Sequence, residues 1–125
     1  MIPFVAVGIG GAIGAVLRYA ITLMMFRLCP LLPLGTFFSN IIAGFLCGII
    51  VYLNKNSSLL NPVTAIFLTT GMMGGLSTFS TFSVETVDLL KNSRYLLASV
   101  NIIANLALSI LSVILGIQVA KKFIL

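Results

Sequence analysis

Four apolar runs, separated by short polar breaks, take up nearly the whole chain: about Pro3 to Phe26, Thr36 to Leu53, Pro62 to Leu90 and Tyr95 to Ala120. A helix needs roughly 20 mostly apolar residues to cross a bilayer's hydrocarbon layer. Within that layer only helices and closed barrels satisfy their own backbone polar groups. The expected fold is therefore an all-α membrane protein of four transmembrane helices, one domain over residues 1–125. Charged residues make up 7% of the chain, against about 25% in a soluble domain, so water is not its main solvent. The first run lacks a basic lead-in and a cleavage site, and reads as a retained span rather than a signal peptide. The breaks "CPLLPLG", "NKNSSLLNP" and "KNSR" read as turns, and Pro62 suits the first turn of the third helix.

The net charge of +5 comes from basic residues scattered singly along the chain. Phosphate binding needs a clustered stripe, so no nucleic-acid partner is expected; these side chains suit helix ends facing lipid headgroups. With four spans, one membrane side holds Lys55, Lys121 and Lys122 and the other Arg27, Lys91 and Arg94, three against three. The positive-inside rule then gives almost no orientation. Either the tally is too coarse at uncertain boundaries, or both orientations insert and pair as an antiparallel homodimer. There is no histidine, and Cys29 and Cys47 lack metal-ligand spacing.

Small residues recur at four-residue spacing: Gly10 and Gly14, Gly44 and Gly48, Gly71 and Gly75, Ser112 and Gly116. Such pairs let helix backbones approach closely in lipid. Arg18 interrupts the first run. A charge there faces protein, water or headgroups, and anchoring fits it better than ligand contact.

The third run carries "TTGMMGGLSTFSTFSVET", the most polar stretch of the chain. Gly71, Gly74 and Gly75 make a break in that helix plausible near its middle, the rival reading being a glycine packing face without unwinding. Backbone that leaves the helix at membrane depth must be buried or line a cavity. A first half-helix ending near Gly74 exposes carbonyls, and a second beginning near Ser77 or Thr78 exposes N–H groups. After the break, Phe79 and Phe82 share a face, as do Ser77, Ser80 and Ser83. Hydroxyls donate to an anion without trapping it by charge, and phenyl edges are electropositive. Against this, serine and threonine often bond back to their own helix. Asn40, Asn105 and Ser109 place further polar groups within spans, where bonding across helices is their common role. Glu85 and Asp88 are the only acids, too few for a proton relay; Glu85 fits a mouth or structural position.

"GGLSTFSTFSVE", with "GTFFSN" and "GAVLRY", closely resembles the Fluc (CrcB) family of fluoride channels, over essentially the whole chain. The resemblance implies a dual-topology antiparallel homodimer with two fluoride pores, a central structural sodium ion, and passive fluoride export across a bacterial inner membrane, protecting the cytoplasm. By matching position it implies that Phe79 and Phe82 turn their edges to fluoride and that Asn40 and Ser109 lie beside the pathway. Ser80, Thr81 and Ser83 match the hydroxyl track. Gly74 and Ser77 match positions whose carbonyls, from both subunits, hold sodium. Arg18 matches the family's basic residue in the first span and Glu85 the acid after the pore motif. Asn105 is a weaker candidate.

Two other functions share some of these features. A small dual-topology multidrug exporter needs a membrane-embedded central acid, which the first span lacks, and aromatic residues around it; the chain has no tryptophan. A structural subunit gives the hydroxyl-rich segment no purpose. An enzyme is least favoured, because no nucleophile–base pair or metal set can be assembled.

Overall fold

The computed structural model describes residues 1–124; residue 125, the end of the single domain read from the sequence, lies outside them. The order is α1 (Ile2–Leu28), α2 (Leu34–Asn56), α3 (Pro62–Ile66), a π-helical stretch (Phe67–Met73), α4 (Gly74–Leu76), α5 (Phe79–Lys91) and α6 (Tyr95–Ile124). α3 through α5 form one bent span, Pro62–Lys91. Together with Ile2–Leu28, Leu34–Asn56 and Tyr95–Phe123, it gives, among the described residues, four helical segments long and apolar enough to cross a membrane.

The boundaries follow local chemistry. Asn61 caps α3 by accepting from the Thr64 N–H at 2.8 Å, and Pro62 occupies the first turn, where its missing N–H costs nothing. α5 ends in a Schellman motif: Arg94 N–H reaches Leu89 O at 2.8 Å and Ser93 N–H reaches Leu90 O at 3.0 Å. Ser93 takes the left-handed conformation this motif requires, at φ 57°.

Packing is set by the small-residue pairs. α2 and α6 share the largest helix–helix contact. Side chains at Gly48 and Gly116 would run into the carbonyls of Val113 and Phe45, and one at Gly44 into Ser112. α1 lies on the bent span in the same way: Gly14 faces the carbonyl of Met72, and Gly75 that of Gly11. Backbone-to-backbone approach is how helices associate where lipid supplies no hydrophobic drive. The buried core is correspondingly small, centred on Ala43, Met73 and Leu76. Large apolar side chains such as Phe4, Val16, Ile103 and Leu115 point outward, as a lipid-facing surface requires.

The third span departs from the expected place. Gly74 is helical, at φ −63° and ψ −37°, and the extended residues are Ser77 (φ −80°, ψ 154°) and Thr78 (φ −153°, ψ 126°). Gly71 and Gly75 instead fit the span against α1. Backbone leaves the helix where side chains of α1 and α2 take up the released polar groups.

Candidate functional site

Extended backbone at Ser77 and Thr78 ends the helical ladder. Ser77 N–H still reaches Met73 O at 2.9 Å. The Thr78 N–H instead donates to Asn40 Oδ1 on α2 at 2.8 Å, and Asn40 Nδ2 returns a bond to Thr78 O at 3.3 Å. One amide thus matches both polar groups of one extended residue. Arg18 donates from Nε to Gly75 O at 3.1 Å, serving a carbonyl in the last turn before the bend. Thr78 also caps α5, its hydroxyl accepting from Thr81 N–H at 3.2 Å. These bonds supply what lipid cannot.

Beside the bend lies a cavity of about 520 Å³, partly open to the outside, with Asn40, Gly74, Ser77, Phe79, Phe82, Asn105 and Ser109 in its wall. The two rings stand with centroids 5.4 Å apart and planes inclined at 50°. Phe82 is buried, whereas Phe79 is 71% exposed. Ser109 enters from α6, its carbonyl accepting from Ser112 Oγ at 2.7 Å.

Ser80, Thr81 and Ser83 lie outside this wall. Ser83 returns its hydroxyl to Phe79 O at 2.9 Å, and Ser77 does the same to Met73 O at 3.0 Å. Their hydroxyl hydrogens are therefore engaged by the helix itself. Ser80 and Thr81 gather around Thr78 Oγ1, at 3.3 and 3.2 Å. Arg18 is likewise outside the cavity, on the α1 side of the bend.

Glu85 sits in a second pocket of about 260 Å³, with Asp88, Thr22 and Arg94 beside the first and third turns. Its Oε1 accepts from Thr36 Oγ1 at 2.6 Å. Thr36 stands four residues before Asn40, and sequence reasoning gave it no role. Asn101 was also missed. It is buried, accepts from Asn105 Nδ2 at 2.9 Å and donates to Thr86 Oγ1 at 3.0 Å. The signal lay in its spacing: Asn101, Asn105 and Ser109 recur every four residues, a polar stripe on one helix face.

Comparison with known proteins gives consistent matches. Residues 5–117 match the family described as CrcB-like protein, Camphor Resistance (CrcB). The chain is 45% identical to a fluoride-specific ion channel FluC of Clostridium novyi (strain NT), covering 97% of this chain and 95% of the relative. It is 44% identical to a protein of the same name from Paraburkholderia phymatum, covering 93% and 92%. It is 40% identical to the fluoride-specific ion channel FluC 1 of Methanosarcina acetivorans, covering 93% and 88%.

Proposed function

Since this chain belongs to the CrcB-like protein family, we propose that it is a fluoride-selective ion channel, passing fluoride passively out across the bacterial inner membrane and so lowering its toxicity. The observation that carries this reading is the cavity beside the bend. A paired aromatic wall and a serine meet there at the middle of a span, with no acid or base among the lining residues. A neutral wall of hydroxyl donors and ring edges offers an anion hydrogen bonds and a positive edge potential without a charge that would hold it. Fluoride accepts hydrogen bonds more strongly than chloride, which favours it in such a site. Ser109 supplies the donor on α6, Phe79 and Phe82 the ring edges. Asn40 stands beside the path, and Ser80, Thr81 and Ser83 continue the polar surface along α5. Glu85, with Thr36, belongs to a mouth, and Arg18 holds the bend.

The working unit is an antiparallel homodimer with two pores. Supporting this are the exposed Phe79 ring, the partial opening of the cavity and the equal division of basic residues between the membrane faces. A second copy covering the opening would complete each wall. A structural sodium ion between the copies fits the residues present. Gly74 is exposed, and a Cβ there would meet only the Thr69 carbonyl, at 3.8 Å. The Ser77 hydroxyl is turned back to Met73 and the Thr78 N–H goes to Asn40, so the oxygens this turn would offer a hard monovalent cation are backbone carbonyls. Its charge would offset the negative ends of two helix dipoles.

The test is anion efflux from liposomes holding only this protein, with fluoride compared to chloride under a potassium–valinomycin shunt. Fast fluoride efflux without chloride efflux is expected. If neither anion moves through well-reconstituted protein, the reading fails.

A further inference from the structure

Asn40 is the first of three amides whose orientations follow from the backbone N–H at one end of their chain. A backbone N–H can only donate, so the Thr78 N–H fixes Asn40 Oδ1 toward itself. Asn40 Nδ2 then points to Asn105 Oδ1 at 3.2 Å as well as to Thr78 O. Asn105 must in turn present its nitrogen to Asn101, donating to Oδ1 at 2.9 Å and to the carbonyl at 3.1 Å. Asn101 Nδ2 donates to Thr86 Oγ1 at 3.0 Å, and the Thr86 hydroxyl donates to Phe82 O at 2.8 Å. With its hydrogen given to the Phe82 carbonyl, the Thr86 hydroxyl is left to accept, so the far end agrees with the direction set at the near end. Flipping any one amide would set oxygen against oxygen and nitrogen against nitrogen. The inner members are shielded from competing partners: Asn105 is 4% exposed, Thr86 7% and Asn101 8%.

The two ends of this chain are the cap residue before Phe79 and the carbonyl of Phe82. It therefore runs from the start of α5, through α2 and α6, back to the first turn of α5. We propose that the chain Asn40–Asn105–Asn101–Thr86 is a positioning device that fixes the aromatic pair of the pathway, with Asn40 acting as a clamp on Thr78. The inference rests on the channel reading above. It adds that pore geometry is set in part by Thr86, a residue outside the cavity wall.

The experiment compares wild type, Thr86→Val and Thr86→Ser in liposomes, reading fluoride efflux, the fluoride-to-chloride ratio and thermal unfolding in detergent. Thr86→Val keeps the volume and removes the acceptor for Asn101 and the donor to Phe82. A fall in fluoride efflux of about tenfold is expected, the weight of losing one buried hydrogen-bond link. The fluoride-to-chloride ratio should fall with it, because the rings lose their fixed spacing. Thr86→Ser keeps the hydroxyl and should recover wild-type efflux and ratio. Wild-type efflux and ratio in Thr86→Val would overturn the inference while leaving the channel reading intact, as would equal loss in both variants. A deficit accounted for entirely by lost folded protein would assign the chain to folding alone and also overturn it. Absence of fluoride efflux from wild type would instead remove the channel reading itself.

Discussion

Arg18 donates its Nε–H to the carbonyl of Gly75 at 3.1 Å, across the contact between α1 and the turn that precedes the bend. The bend at Ser77 removes the N–H groups that a continuing helix would offer to this turn. An unserved carbonyl at membrane depth is costly, and a bond from a charged donor is stronger than one between neutral groups. Arg18→Met keeps the length of the stem and removes the donor. It should destabilise the protein by about 2 kcal/mol in thermal unfolding in detergent. Unchanged unfolding would mean that Arg18 only anchors the helix.

Phe79 and Phe82 separate packing from function because their burial differs so widely. The 71% exposure of Phe79 means that Phe79→Ile should alter unfolding of the protomer fold by under about 0.5 kcal/mol. Yet it should cut fluoride efflux by about fivefold, since an aromatic edge contributes on the order of 1 kcal/mol and each 1.4 kcal/mol is a factor of ten. Phe82→Ile should reduce efflux at least as much and also perturb the core. Normal conduction in a folded Phe79→Ile or Phe82→Ile protein would refute the ring-edge account.

The glycine seams give a contrast between two chemically identical changes. A methyl at position 116 would run into the carbonyl of Phe45, so α6 could seat it only by moving off α2. Gly116→Ala is expected to cost about 1–3 kcal/mol, the usual range for overpacking. Gly8 has nothing near the position of its missing Cβ, and Gly8→Ala should be neutral or stabilising by up to about 1 kcal/mol through helix propensity. Unfolding measured for both in one detergent decides it, and equal effects would mean that the α2–α6 seam tolerates separation.

The spans were legible because hydropathy and length leave a chain this apolar few options, and the paired small residues announced which faces meet. Asn61–Pro62 was readable for the same kind of reason, since a cap and a first-turn proline are local signals. The position of the bend was not local. Three glycines pointed to Gly74, but Gly74 stays helical. Ser77 and Thr78 extend because Asn40, 38 residues earlier, matches the Thr78 backbone on both sides. Nothing within the stretch itself encodes that partner. The backbone partner of Ser83 is likewise invisible in its spacing, which puts it on the hydroxyl face and does not say that Phe79 O takes its hydrogen. Asn101 was visible as the third member of a four-residue stripe, but its partner Thr86 lies on another helix and only the fold joins them.

A cation held by folded protein and not by the unfolded chain raises stability with its concentration, by about 2.7 kcal/mol at 100 times its Kd. If Gly74 and Ser77 carbonyls hold sodium between two copies, exchanging sodium for a large organic cation throughout purification should lower the unfolding temperature and the fluoride efflux together. Restoring sodium before complete unfolding should reverse both. Identical unfolding curves in the two cations would remove sodium from the account.

The antiparallel pair proposed above requires the chain to insert both ways, which the three-against-three division of basic residues would permit. Charge bias in short loops sets orientation, so adding lysines to one face should break the balance. Asn54 and Ser58 are exposed beside the second turn, and Leu31 and Asn92 lie in or beside the first and third. Asn54→Lys with Ser58→Lys should drive most chains to one orientation, and Leu31→Lys with Asn92→Lys to the other. Each biased chain expressed alone lacks antiparallel partners and should fail to protect a fluoride-sensitive host. The two together should restore protection, because each supplies the orientation that the other lacks. Two other results would tell against this pairing. Full protection by either biased chain alone, with its single orientation verified by labelling the loops, would mean that the antiparallel pair is not the conducting unit. Failure of the co-expressed chains, both present and folded, would mean that opposite orientations do not complete one another.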